Sequence, residues 1–225
     1  MQKRGTAALF FACRRGGRSV RRRTCHKGFP MAGYPNGVLC KFRAFPNAYP
    51  VECMQGNENI FLVGPMGVGK SSIGRRLASR LGRTFIDCDE ELTRRTGVEI
   101  EVIFDIEGEE GFRRRESKLL QELVAMRGIV LATGGGVVLL PENREALVRN
   151  GTVVYLSATE EQLARRTARD KKRPLLQTGD RKARIRGLLE QREPLYQAVA
   201  DCSVDTGLGS VTHSVELICR QLKLP

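Results

Sequence analysis

The chain of 225 residues has no tryptophan, and its only histidines are His26 and His213. Its seven cysteines include no Cys-x-x-Cys pair. With so few imidazoles and no paired thiols, the spacing excludes an ordinary zinc site. The odd cysteine count argues against a closed disulfide framework and for reduced thiols in a cytosol-like compartment. No run of about 18 apolar residues occurs, so no membrane-spanning helix is expected. The apolar run at 7–12 is too short and precedes most of the positive charge, which excludes a secretory signal. Internal repeats are absent as well.

Acidic residues are scarce at the start of the chain. Residues 1–59 hold 11 Lys/Arg against 2 Asp/Glu, a net of +9, and the remainder holds 27 against 23, a net of +4. The overall charge of +13 therefore belongs mainly to the N-terminal segment. The rest is mildly basic, which suits an anionic nucleotide and does not require nucleic acid. Residues 1–58 carry an arginine cluster (Arg14, Arg15, Arg18, Arg21, Arg22 and Arg23) with scattered Gly and Pro and no sustained periodicity. This composition predicts disorder. Three readings of the segment stay open. It is Arg-rich and acid-poor like a transit peptide, though poor in Ser. It could neutralise phosphates as a nucleic-acid-binding tail, but no recognisable module surrounds it. Alternatively, translation starts at Met54, just before the first strand, and residues 1–53 reflect an upstream start codon.

From Asn59 the pattern becomes regular, so residues 59–225 are expected to form one α/β domain. Short apolar strands are predicted at 60–63, 84–87, 129–132, 152–156 and 202–205. Helical periodicity is predicted at 71–81, 90–95, 100–104, 111–126, 141–150, 160–169, 181–200 (apart from Pro194) and 211–222. Strands alternating with helices imply a five-stranded parallel sheet covered on both faces.

Gly64-Pro65-Met66-Gly67-Val68-Gly69-Lys70-Ser71 fits the phosphate-binding pattern G-x-x-x-x-G-K-[ST]. Gly67 and Gly69 allow the backbone to aim amides, including that of Val68, at phosphate oxygens, and the following helix adds its N-terminus. Lys70 can bridge the β- and γ-phosphates, Ser71 can ligate Mg²⁺, and Ser72 can reach the α-phosphate. A chance match in a glycine-rich turn is disfavoured, because the motif follows a strand and opens a helix.

Asp87-Cys88-Asp89 ends the second strand, at the sheet edge where α/β folds bind ligands. On a regular strand the two carboxylates point to one face. One can hold a water of the Mg²⁺ shell, and the other can take a proton from an attacking hydroxyl. The plainer alternative is a helix cap. Gly134-Gly135-Gly136 follows the third strand and permits close ligand approach, or is a flexible turn. Arg113 and Arg192 read either as carboxylate forks or as solvated helix charges. Arg173 closes a charged loop that could fold over the nucleotide and stabilise the transferring phosphoryl group.

Taken in this order, the segments resemble shikimate kinase from Asn59 to Leu222. The most specific pieces are Gly64–Ser71, Asp87-x-Asp89, Phe112-Arg113 with Glu116, Ala132-Thr133-Gly134-Gly135-Gly136, Lys172-Arg173-Pro174-Leu175-Leu176 and Arg192-x-Pro194-Leu195-Tyr196. The resemblance implies a P-loop kinase fold with a mobile lid, ATP and shikimate as ligands, Mg²⁺ as cofactor, no nucleic-acid or membrane partner, and a monomer. It implies that Asp89 binds shikimate hydroxyls and serves as base, and that Asp87 holds Mg²⁺ through water. Arg113 and Arg192 would clamp the carboxylate, Gly134, Gly135 and Gly136 would line the ring, and Phe104 and Phe112 would wall the pocket. Arg173 would reach the phosphates from the lid and Arg166 would stack near adenine. The implied setting is a bacterial cytoplasm, or a plastid if residues 1–53 are a transit peptide. Two departures stand out: the N-terminal extension, and a generic segment after Thr206 to which no adenine contact is assigned.

A gluconate-type kinase shares the phosphate loop and fold; the two arginines and the Asp-x-Asp pair argue against it, and a sugar-acid acceptor stays open as the alternative. A kinase-like regulator without turnover is disfavoured because Lys70, Ser71, Asp87, Asp89, Arg113 and Arg192 are all present.

Overall fold

Five short strands carry the architecture: β1 (Asn59–Val63), β2 (Thr84–Asp87), β3 (Ile129–Ala132), β4 (Gly151–Ser157) and β5 (Cys202–Asp205). They form one parallel sheet in the order β2-β3-β1-β4-β5. β1 lies at the centre and is buried along its whole length, as expected of an apolar strand covered on both faces. The computed structural model describes residues 58–168 and 180–225. The expected N-terminal extension, apart from Glu58, and the Arg173 loop lie outside the described residues.

Helices α1 (Lys70–Leu81), α2 (Cys88–Thr96), α3 (Ile100–Val124), α4 (Pro141–Asn150), α5 (Glu160–Thr167), α6 (Arg181–Val199) and α7 (Val211–Gln221) fill the connections. Two apolar cores result. One packs Leu119, Leu120 and Leu123 of α3, Leu147 of α4 and Tyr196 of α6 against Phe61, Leu131 and Val153. The other packs Ile73 and Leu77 of α1, Leu163 of α5 and Ile218 of α7 against Ile60, Leu62 and Val154. Alternate residues of β1 thus face opposite cores, the period-2 geometry of a strand. The strands lie within one residue at either end of the predicted spans. Thr159 forms a full capping box with Gln162.

The helices predicted at 100–104 and 111–126 extend toward each other and meet at Gly108 (φ 69, ψ −176), whose non-helical backbone kinks α3. The charged residues on either side lengthen both helices without an apolar period, because a solvated helix face carries none. One expectation is corrected. Pro194 does not interrupt α6, which continues through it. A proline removes only its own N–H bond, and the buried contacts of Tyr196 and Val199 hold the turn that follows.

Asn59 anchors the end of the sheet away from the strand tips. Its side-chain amide donates to the carbonyls of Val124 (3.3 Å), Met126 (2.7 Å) and Asn150 (3.2 Å). Its Oδ1 accepts from the Ile129 amide at 3.2 Å. One buried residue therefore satisfies backbone groups from α3, the turn before β3, and α4.

Candidate active site

The C-terminal tips of β1, β2 and β3 converge with α1, α3 and α6 on one edge of the sheet. β1 runs directly into the loop 64–69. Gly67 and Gly69 have φ of 78° and 102°, a left-handed backbone that disfavours any side chain. A Cβ on Gly67 would also lie 2.5 Å from the Thr167 side chain. The loop feeds α1, whose first turn carries no acidic residue, so its amides present an unopposed positive end. Lys70 Nζ donates to the carbonyls of Gly64 (2.7 Å) and Pro65 (2.9 Å), which holds the ammonium across the mouth of the loop. Val68 is buried and Ser72 is exposed on the first turn. This is a built anion cradle of the kind that binds phosphate.

Ser71 Oγ donates to Asp87 Oδ2 at 2.6 Å. The same carboxylate caps α2, with Oδ1 accepting from the amides of Asp89 (3.0 Å) and Glu90 (3.4 Å). The expected strand geometry for Asp87 and Asp89 does not hold. β2 ends at Asp87 and the helix begins at Cys88, so the two-residue spacing spans a strand–helix junction and not a pleat. The cap and the site role coincide: Asp87 spends one oxygen on each. Asp89 comes to the site from the first turn of α2, with Oδ1 3.3 Å from where a Cβ on Gly134 would sit. Cys88 between them points into the core, where burial pushes its thiol up, away from reactivity. The three described cysteines, Cys88, Cys202 and Cys219, are all buried.

Across from these carboxylates lies a pair of inward-facing arginines. Arg113 on α3 donates to Glu116 Oε2 at 2.7 Å and to Glu109 Oε1 at 3.1 Å. Burial pulls its pKa down, but Glu116 and Glu109 outweigh that and hold it raised. Glu116 is itself buried, and burial raises its pKa against the opposing pull of Arg113. Arg192 on α6 is buried, and burial together with Arg113 lowers its pKa. A guanidinium keeps its charge nonetheless. The Nε atoms of Arg113 and Arg192 and the Oε1 atom of Glu116 are buried without partners. Such groups are costly to leave unmatched. Two guanidiniums with free donors make a receptor for an anion, and a carboxylate suits their fork geometry.

The glycines after β3 have a different reason from the one read in the sequence. A Cβ on Gly136 would lie 2.3 Å from the Arg113 guanidinium, and one on Gly134 would lie 2.0 Å from Glu116 Oε1. Their bareness makes room for the chain's own charged side chains, as well as for any ligand. Gly135 lies between them against the phosphate loop, its Cβ position 3.4 Å from the Met66 amide. Phe104 and Phe112 meet at a centroid distance of 4.7 Å, and Arg113 sits 5.0 Å over the Phe112 ring.

Arg166 is placed at the other end of the loop. It donates to Val68 O (3.3 Å), Thr206 Oγ1 (2.9 Å) and Thr206 O (2.8 Å). The guanidinium thereby ties the phosphate loop to the turn after β5. Arg173 lies outside the described residues. The sequence reading assigned no role to Glu116, Tyr196 or Thr206. Glu116 had a signal: it stands on the buried stripe of α3 with Phe112, Leu119, Leu120 and Leu123, where an unpaired carboxylate is not tolerated.

Comparison with known proteins points one way. The shikimate kinase family model matches residues 66–223. The chain is 52% identical over 171 residues to the shikimate kinase of Thiobacillus denitrificans, covering 76% of this chain and 93% of that protein. It is 54% identical over 167 residues to that of Nitrosococcus oceani, covering 74% and 88%. Among solved structures, shikimate kinase from Acinetobacter baumannii in complex with shikimate superposes with a TM-score of 0.74 at 45% identity, covering 77% of this chain and 97% of that one. A gluconokinase from Sinorhizobium meliloti reaches a TM-score of 0.50 at 19% identity over 74% of this chain and 91% of that one, a likeness of fold alone. Among the described residues no helix is long and apolar enough to cross a membrane. A phosphate cradle beside a pair of arginines with buried, unpartnered Nε atoms, on a five-stranded P-loop sheet, thus agrees with the sequence relationship: the chain belongs to the shikimate kinase family and is an ATP-dependent kinase of shikimate.

Proposed function

We propose that this chain transfers the γ-phosphoryl group of ATP to the 3-hydroxyl of shikimate, giving shikimate 3-phosphate and ADP, with the residue roles that follow. Gly67, Val68, Gly69, Ser71 and Ser72 hold the phosphates through backbone amides and hydroxyls, and Lys70 offsets charge on the β- and γ-phosphates. Arg113 and Arg192 receive the shikimate carboxylate, Gly134–Gly136 line its ring, and Asp89 accepts hydrogen bonds from its hydroxyls. The 3-hydroxyl oxygen forms a bond to the γ-phosphorus while the bond to the bridging oxygen of ADP breaks, and Asp89 takes the hydroxyl proton. Arg166 flanks the base and Arg173 approaches the phosphates.

Mg²⁺ fits the donors present. Ser71 Oγ and Asp87 Oδ2 are hard oxygens 2.6 Å apart, a small all-oxygen donor set beside the phosphate loop. That suits an ion which keeps most of its waters and leans on substrate phosphates. The ion would supply charge neutralisation on the phosphates. The bacterial relatives support a bacterial cytoplasmic setting. Residues 59–225 are taken as the catalytic domain, so removing residues 1–53 should leave turnover intact.

The observation that carries the acceptor assignment is the pair of arginines, Arg113 and Arg192, whose Nε donors are buried and unpartnered. A coupled assay of ADP release with shikimate or gluconate tests it. Turnover with shikimate and none with gluconate is expected; the reverse would sink the assignment.

A further inference from the structure

Tyr196 joins two walls of the acceptor pocket. It is fully buried on α6, one helical turn after Arg192, so both side chains project from one face of that helix. Its hydroxyl donates to the carbonyl of Gly135, 61 residues away in sequence. The neighbouring glycines have local partners: the Gly134 carbonyl accepts from the Val137 amide at 3.3 Å and that of Gly136 from the Leu139 amide at 3.0 Å. The middle glycine instead takes its hydrogen bond from a distant side chain. Three consecutive glycines impose little conformation of their own, so an outside anchor decides where the central peptide sits.

The anchor itself is rigid. The Tyr196 ring stacks on Tyr155 of β4 with centroids 5.3 Å apart and 18° between planes. The Arg192 guanidinium interacts with the same phenol. Burial pushes the phenol up to about 12, so it stays protonated at neutral pH and remains a donor to Gly135.

We propose that the Tyr196 hydroxyl is a positioning group for the acceptor: it fixes the Gly135 peptide in register with Arg192, so that ring wall and carboxylate receptor are set before shikimate arrives. The proposal rests on the assignment of Arg192 and Gly134–Gly136 to shikimate. Such preorganisation affects acceptor affinity and leaves the nucleotide side unchanged.

Tyr196→Phe tests it, because the ring and its stack are kept and only the hydroxyl is lost. Tyr155→Phe is the control, removing a hydroxyl from the same stacked pair with no bond to the glycine loop. Steady-state kinetics of Tyr196→Phe should show the KM for shikimate raised about tenfold, with the KM for ATP within about twofold and kcat within about threefold of the unaltered enzyme. Tyr155→Phe should leave the shikimate KM unchanged. An unchanged shikimate KM in Tyr196→Phe would overturn the proposal. So would a parallel rise in both KM values, or an equal rise in Tyr155→Phe, since either indicates general loosening of the fold. Absence of shikimate turnover in the unaltered enzyme would overturn the underlying assignment, and the proposal with it.

Discussion

The two halves of the site are built from different materials. The nucleotide side is one contiguous loop, residues 64–71, made of backbone amides and a helix end, with left-handed glycines at Gly67 and Gly69. The acceptor side draws on α2, α3, α6 and the turn after β3, and it works through charge held out of water: buried Glu116 and Arg192 with half-buried Arg113. The first needs particular φ values and little else. The second needs several elements to arrive together, because each buried charge is tolerable only with its partners in place. The halves touch at few points, chiefly Ser71 with Asp87 and Gly135 against Met66. Chemistry and acceptor recognition should therefore be separable by mutation.

The largest effect is expected on the nucleotide side. Lys70→Ala should lower kcat by about 10³-fold or more, the scale for removing a charge that stabilises the transferring phosphoryl group. Single-turnover phosphoryl transfer measures this directly. Next comes Arg192→Met, which keeps volume but removes the fork. It should raise the KM for shikimate by about 10- to 100-fold, as fits loss of a charge-assisted contact of about 1.5–3 kcal/mol, while the KM for ATP stays put. A matched rise in both KM values would break the division between the halves.

A third variant reaches neither half. Asn59→Leu removes hydrogen bonds to three carbonyls and one amide at the far end of the sheet. Denaturant unfolding should show a loss of about 2–4 kcal/mol from the buried groups left unpaired, with both KM values unaltered in the folded enzyme. The smallest effect belongs to the surface. Arg94 and Arg95 hold the Glu91 carboxyl down at about 2, below its ordinary 4.5. A lowered acid favours the fold when ionised, so its contribution is whole above pH 4.5 and lost as pH falls through about 2. Glu91→Gln should cost at most about 1 kcal/mol at neutral pH, since exposed pairs are screened. The gap should close in unfolding curves taken towards pH 2.

The same contrast explains what was legible in the sequence. The phosphate loop was readable because its residues are adjacent and each has a backbone reason. The strands were readable because buried parallel strands are short apolar runs between turn signals. Asp87 was found at the predicted strand end and in the capping role that stood as its plainer reading; only the placing of Asp87 and Asp89 on one face of a strand fails, because the helix starts at Cys88. The break between the helices at 100–104 and 111–126 was legible, but its place at Gly108 was not, because the charged residues around it carry no period. Glu116 carried a signal in the buried stripe of α3 and pairs with Arg113 on the same helix, whereas Tyr196 meets Gly135 and Tyr155 on other elements, beyond the reach of any local pattern. The Gly134–Gly136 run was recognised as ligand-facing, yet two of its missing Cβ atoms make way for Glu116 and Arg113, which only the assembled fold reveals.

Calorimetric titration of shikimate into Lys70→Ala tests the separation of the two halves most directly. With Arg113, Arg192 and the glycine turn untouched, the Kd for shikimate should stay within about threefold of that of the unaltered protein even though turnover is lost. Loss of shikimate binding together with turnover would contradict the account, because it would make acceptor recognition a property of the phosphate loop.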